Sequence, residues 1–158
     1  PGGHIGASVY GTDGSGAAHL HVTGIGYDGS PLDERSAGRG EGPKLFMDGP
    51  EVFAFALKVV PTTLNELYAL GNTNADSIDL FIFHQANRYM LENLRRKLRI
   101  PAERFVVELA DVGNTSSNTI PIALQRALAS DRIKSGQRLA LVGFGVGLSW
   151  GAVLIDWR

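Results

Sequence analysis

Three short stretches carry residue types able to do chemistry. His84-Gln85-Ala86-Asn87 follows the apolar run Ile78-Asp79-Leu80-Phe81-Ile82-Phe83, and Asn114, in Gly113-Asn114-Thr115-Ser116-Ser117, lies 30 residues beyond His84. Delivered to one place by two loops, an imidazole N–H and a carboxamide N–H suit the stabilisation of a developing oxyanion. Each stretch is equally ordinary as structure, because a single His is often a satisfied structural residue and Asn, Ser and Gly are usual in turns and caps. The third stretch, Gly143-Phe144-Gly145-Val146-Gly147-Leu148-Ser149-Trp150-Gly151, looks at first like a dinucleotide-binding loop. Such a loop must open a helix, whereas Ala152-Val153-Leu154-Ile155-Asp156-Trp157 reads as a strand, so the cofactor reading fails on context. What remains is a glycine-rich hairpin, either a tight turn or a place where backbone N–H groups approach a ligand.

Other candidates are weaker. His19-x-His21 would put two rings on one face of a strand, but metal binding needs a further ligand in reach and none is signalled nearby. From Arg88 to Arg104 six basic residues (Arg88, Arg95, Arg96, Lys97, Arg99, Arg104) stand against Glu92 and Glu103. Such a run is usually a solvated helix face, yet in a chain of net charge −1 it is the best place for an acidic partner to dock. That near-neutral balance, 15 Lys+Arg against 16 Asp+Glu, excludes wholesale nucleic-acid binding as the default. With no Cys there is no disulfide, thiolate metal site or cysteine nucleophile, so any thiol chemistry must come from outside these residues.

The elements that would position these residues are legible in the pattern. The 158 residues amount to one domain's worth of chain, and 44% hydrophobic content is ordinary for a globular core. Residues 1–46 hold 12 of the 20 glycines and read as a linking segment of strands and loops, with turn signals at Thr12-Asp13-Gly14 and Tyr27-Asp28-Gly29 around the β-like His19-Leu20-His21-Val22. Residues 47–158 form the second unit. Asp48 and Glu51 have capping-box spacing, and the stripe Val52, Ala56, Val59, Val60, Leu64, Leu67 and Tyr68 predicts a long helix to about Gly71, interrupted or kinked near Pro61. A buried strand should end at His84, followed by a helix with Met90, Leu91, Leu94 and Leu98 inward. Phe105-Val106-Val107 is a short strand. A helix capped by Ser117 or Asn118 turns Ile120, Leu124, Ala127 and Leu128 inward, and strands follow at 139–142 and 148–157. Helices alternating with strands imply an α/β layer architecture with a mixed, mostly parallel sheet flanked by helices. No apolar run reaches the length of a membrane span, and the start has neither an initiator Met nor a signal-peptide region, so the chain reads as a soluble, cytoplasmic piece of something larger.

Taken together, His84-Gln85-Ala86-Asn87, Gly113-Asn114-Thr115-Ser116 and Gly143-Phe144-Gly145-x-Gly147-x-Ser149-Trp150-Gly151 resemble the second half of a β-ketoacyl-acyl-carrier-protein synthase III. Thr12-Asp13-Gly14-Ser15-Gly16 and Met47-Asp48-Gly49-Pro50-Glu51-Val52-Phe53 extend the likeness over most of the chain. Chalcone-synthase relatives usually have His-Pro-Gly-Gly at the histidine, and elongating ketosynthases use two histidines in place of His and Asn. The resemblance implies a thiolase-like α-β-α-β-α body of which this chain supplies the C-terminal half. It implies an acyltransferase in which a cysteine of the N-terminal half is acylated by an acyl-CoA. Condensation with malonyl-acyl-carrier protein follows, as in fatty-acid initiation, with no cofactor and no metal.

By the same resemblance His84 and Asn114 are catalytic and donate hydrogen bonds to the malonyl thioester oxygen. The backbone of Val146, where the family often has Gly, belongs to the oxyanion hole facing the acyl-cysteine. Asn87, Phe53 and Gly49 line the substrate channel, and Arg95, Arg96 and Lys97 form the basic surface that docks the carrier protein. The implied partners are the N-terminal half, the acyl carrier protein, coenzyme A thioesters and a second copy in a homodimer, with neither nucleic acid nor membrane. A rival from another class is a non-catalytic subunit that keeps the fold to hold a partner ketosynthase or carrier protein. Retention of both His84 and Asn114 disfavours it, since binding alone needs neither donor.

Overall fold

The computed structural model describes residues 3–22 and 45–158. The turn signal at Tyr27-Asp28-Gly29 lies outside the described residues. The strand Gly3–Thr12 (β1) is followed by a 3-10 turn over Gly14–His19, the short strands Leu20–Val22 (β2) and Leu45–Met47 (β3), and the helix Gly49–Leu70 (α1). After it come Leu80–Phe83 (β4), Arg88–Lys97 (α2), Thr119–Ala129 (α3), Arg138–Gly145 (β5) and Ser149–Trp157 (β6).

Four strands form one sheet in the order β1-β6-β5-β4. The β4–β5 ladder is parallel, and Phe105 adds a parallel bridge to Phe81 on the outer side of β4. β5–β6 and β6–β1 are antiparallel. The sheet is therefore mixed, and its parallel part is the part reached through helical crossovers. β5 and β6 are joined by three residues, a connection too short for anything but an antiparallel hairpin. Phe105-Val106-Val107 contributes that bridge and the bond from the Val106 N–H to the Phe81 carbonyl (3.0 Å), not a longer strand.

β4 explains its own apolar sequence. All four residues are buried, with Phe81 and Phe83 in the cluster beneath α1 and α2 and Leu80 and Ile82 in the cluster beneath α3. Side chains alternate across a strand, so a strand covered on both faces has no polar position to offer. α1 begins where expected, with Asp48 accepting from the Glu51 N–H (3.3 Å) and Pro50 in the first turn. It runs as one helix through Pro61, so the interruption expected there does not occur. Its buried stripe of Val52, Ala56, Val60, Thr63, Leu64 and Leu67 spans both sides of the proline, and this packing outweighs a local cost of about 3 kcal/mol.

α3 also departs from expectation. Its fully buried line is Thr119, Ala123 and Ala127, small residues that bring the helix close to the sheet, while Ile120, Leu124 and Leu128 flank it half-buried. No side-chain cap precedes it. A 3-10 turn over Ser116–Asn118 leads into the helix instead. His19 ends the first 3-10 turn and points toward Asp48, with its Nδ1 3.9 Å from the carboxylate, whereas His21 is buried in β2 against Phe46. The two rings therefore do not share a strand face. Among the described residues no three His, Asp or Glu side chains are arranged to hold a metal ion, and no helix is long and apolar enough to cross a membrane.

Candidate active site

His84 stands one residue beyond β4. Its backbone N–H still donates to the Val142 carbonyl (2.7 Å), extending the parallel ladder, and its own carbonyl accepts from the Ala86 N–H (3.0 Å), which turns the chain out of the sheet. The neighbouring Gln85, 1% exposed, fastens this strand end. Its amide nitrogen donates to the carbonyls of Phe83 (2.6 Å) and Val106 (3.4 Å), and its amide oxygen accepts from the Glu108 N–H (2.8 Å). One buried carboxamide thus ties the His84 strand to the segment that leads to Asn114. A buried polar side chain is retained at such a place because its partners would otherwise go unsatisfied. In sequence Gln85 reads only as a neighbour of the histidine.

The loop bearing Asn114 is held from three sides. The Gly113 N–H donates to the Leu109 carbonyl (2.8 Å), with Gly113 at φ +64, where a side chain would be strained. Arg126 of α3 grips Asp111 with both terminal nitrogens (2.6 and 2.8 Å), which holds that carboxyl below its ordinary pKa range. Asn114 Oδ1 accepts from the Ser116 N–H (2.9 Å), and Ser116 is itself at φ 57. A backbone N–H can only donate, so the amide oxygen of Asn114 must face it and the NH2 group is turned toward solvent as a free donor.

Thr119 joins the two loops. Its hydroxyl oxygen lies 2.7 Å from His84 Nδ1 and 3.0 Å from the carbonyl oxygen of Ser116. A continuous chain of hydrogen-bonding groups therefore runs from the imidazole through Thr119 and Ser116 to the Asn114 carboxamide. Phe144, on β5, meets the His84 ring edge-on at 5.4 Å, so the glycine-rich third stretch reaches the same place. Burial pushes the His84 pKa below its usual 6.5, which keeps the ring neutral near pH 7. Two neutral donors at the same end of a sheet form an arrangement able to stabilise negative charge developing on a bound oxygen.

The flanks of the site are set by the remaining residues. Val146 lies in the turn between β5 and β6, 64% exposed, and lines an apolar groove of about 480 Å³ with Tyr10, Ile120, Phe144 and Trp150. Gly147 in that turn has φ +142, open only to glycine. Asn87 caps α2, with Oδ1 accepting from the Met90 N–H (2.8 Å), and Gly49 is the first residue of α1. Phe53 stacks on Tyr89 with ring centroids 5.5 Å apart, bringing the N-terminal ends of α1 and α2 together. That pairing is not visible in the sequence, where Phe53 and Tyr89 are far apart.

The basic run divides. Arg95 is engaged locally, with Nε and Nη2 on Glu92 (3.1 and 2.9 Å) and Nη1 on the Ile100 carbonyl (3.0 Å). Arg104 caps the carbonyls of Ala75, Asp76 and Ile78. Arg88, Arg96, Lys97 and Arg99 remain exposed.

This architecture is found in known proteins. Residues 69–157 match the family model described as 3-oxoacyl-[acyl-carrier-protein (ACP)] synthase III C terminal. The chain belongs to the 3-oxoacyl-acyl-carrier-protein synthase III family. The β-ketoacyl-[acyl-carrier-protein] synthase III of Staphylococcus saprophyticus is 41% identical over 147 residues, covering 93% of this chain and 42% of that protein. A crystal structure of a 3-oxoacyl-(acyl-carrier-protein) synthase III superposes with TM-score 0.87 at 41% identity, covering 97% of this chain and 48% of that one. The priming β-ketosynthase of a polyketide biosynthetic pathway superposes at 0.81 with 32% identity, covering 98% and 46%. The fold is thiolase-like, as the motifs implied. The chain spans less than half the length of these synthase III relatives, and the likeness places it in their C-terminal part.

Proposed function

We propose that this chain is the C-terminal catalytic half of a cytoplasmic, homodimeric acyltransferase that condenses an acyl-CoA primer with malonyl-acyl-carrier protein. The observation that carries the reading is the chain of contacts from His84 to the Thr119 hydroxyl, from the Thr119 backbone N–H to the Ser116 carbonyl, and from the Ser116 N–H to the Asn114 amide oxygen, which holds His84 and Asn114 at one end of the sheet. In the reaction an acyl group is first held as a thioester on a cysteine of the N-terminal half. The malonyl thioester then loses CO₂, and the electron pair of the broken C–C bond becomes an enolate whose oxygen accepts hydrogen bonds from His84 and Asn114. The enolate carbon attacks the acyl-cysteine carbonyl, whose oxygen faces the backbone N–H of Val146. Collapse expels the cysteine thiolate and leaves a β-ketoacyl product on the carrier. Aimed donors in a site closed to water stabilise such charge by several kcal/mol, about 3–4 kcal/mol for a single well-placed one.

Phe53, Gly49 and Asn87 line the entry for the pantetheine arm in this reading. The complete polypeptide, given a panel of radiolabelled acyl-CoAs and malonyl-acyl-carrier protein, should transfer label into a β-ketoacyl product and release CO₂. Absence of product with every primer would refute the assignment. The likeness to the priming ketosynthase favours, as a second reading, the same chemistry in a specialised pathway, and the preferred primer in that panel separates the two.

The carrier protein would dock on the exposed part of the basic run. Arg95 is held by Glu92 and Ile100, so Arg96, which touches Glu92 only at 4.0 Å, and Lys97, beside Arg88 and Arg99, are the exposed side chains that would meet an acidic partner. Reversing the charge of Arg96 and Lys97 together should raise KM for malonyl-carrier protein about 10-fold at low salt, with little change for malonyl-pantetheine. The difference should shrink as ionic strength rises. An unchanged KM would return the run to a solvated helix face.

A further inference from the structure

Thr119 is more than a link between loops. It is 3% exposed, so no solvent competes for its hydroxyl, and that hydroxyl has one proton to give and two neighbours within reach. The Ser116 carbonyl, at 3.0 Å, is placed to accept the hydroxyl proton but is satisfied without it, because it also receives the backbone N–H of Thr119. His84 Nδ1, at 2.7 Å, has no other partner among the described residues, and the shorter contact suits an O–H donor. We propose that the Thr119 hydroxyl donates to His84 Nδ1 and so holds the imidazole as the tautomer whose proton is on Nε2, the nitrogen turned to the site.

The consequence is polarity. In a neutral imidazole one nitrogen donates and the other accepts, so the partner of Nδ1 decides what Nε2 can do. Were the hydroxyl proton given to Ser116 instead, Nδ1 would carry the ring proton and Nε2 would face an incoming oxygen with a lone pair. Thr119 would then do for His84 what the Ser116 N–H does for Asn114, where a fixed local partner turns the donor end outward. Thr119 is a positioning residue, and this inference rests on the donor role given to His84 above.

The test separates the two ideas. In the complete enzyme labelled with ¹⁵N-histidine, the His84 signals, identified by their loss in His84→Ala, should show a protonated Nε2 and an acceptor-type Nδ1 at neutral pH. A protonated Nδ1 would overturn the tautomer assignment whatever the kinetics. Thr119→Val, which keeps the shape and removes the hydroxyl, should move Nδ1 toward the shift of a free acceptor nitrogen. It should also lower kcat for condensation about 10–100-fold, by analogy with loss of the partner that orients a metal-bound histidine. KM and acylation by acyl-CoA should stay unchanged, and Thr119→Ser should restore the rate. A full-rate Thr119→Val beside an inactive His84→Ala would refute the positioning role. The expected spectra with a fully active His84→Ala would leave the tautomer assigned and the donor role of His84 disproved.

Discussion

In the complete enzyme, His84→Ala and Asn114→Ala should each lower decarboxylative condensation by about 10²–10³-fold or more while acylation by acyl-CoA proceeds near the parent rate. The asymmetry follows from where charge develops. In the proposed reaction acyl transfer would place negative charge on the primer's carbonyl oxygen, in front of the backbone N–H of Val146. Decarboxylation would place it on the malonyl thioester oxygen, in front of the two proposed side-chain donors. Only an interaction stronger in the transition state than in the ground state accelerates a step, so each half-reaction should feel only its own donors. Burial lowers the His84 pKa and so favours the neutral ring, which suits the proposed role of hydrogen-bond donor better than that of a resident cation. Separate assays of cysteine acylation and of CO₂ release decide the matter, and equal loss of both would sink the assignment.

A second large effect is expected from the 158 residues alone, which should form no covalent acyl-enzyme and make no β-ketoacyl product. They contain no Cys, and a thiolate is what serves both as nucleophile near neutral pH and as leaving group afterwards. Packing points the same way. On the side covered by α3 the sheet leaves Ile5 and Tyr10 exposed, with Leu141 and Val153 only half-buried and the apolar groove around Val146 open beside them. A face of this kind normally lies against another layer. Activity and full stability should therefore require the N-terminal half, in the same polypeptide or as a separate chain. Intact mass spectrometry after incubation with acetyl-CoA reads the first part directly, and a stoichiometric, thioester-labile adduct would overturn it.

Local sequence determines a good part of this protein. The run ending at Phe83 announces a strand buried on both faces, and Asp48, Pro50 and Glu51 announce the start of α1, because a strand's burial and a helix's cap are written within a few neighbouring residues. The residue types at His84, Asn114 and the Gly143–Gly151 stretch carry the family resemblance. The lack of Cys sets a chemical boundary that no arrangement of the chain can change.

Other features are decided only by the tertiary fold. Nothing local says that β1 pairs with β6 at the far end of the chain, that Pro61 lies in an unbroken helix, or that α3 approaches the sheet along Thr119, Ala123 and Ala127. Arg95 and Arg96 are alike in sequence, yet one is spent on Glu92 and Ile100 while the other only approaches the same Glu92 carboxylate at 4.0 Å and stays exposed. Thr119 reads as an ordinary first residue of a helix until the close approach of α3 to β4 brings its hydroxyl to His84. Caps, periods and turns depend on the backbone of a few residues, so sequence reports them. The meeting of His84, Thr119 and Asn114 depends on which surfaces pack together across tens of residues, and only the folded core settles that.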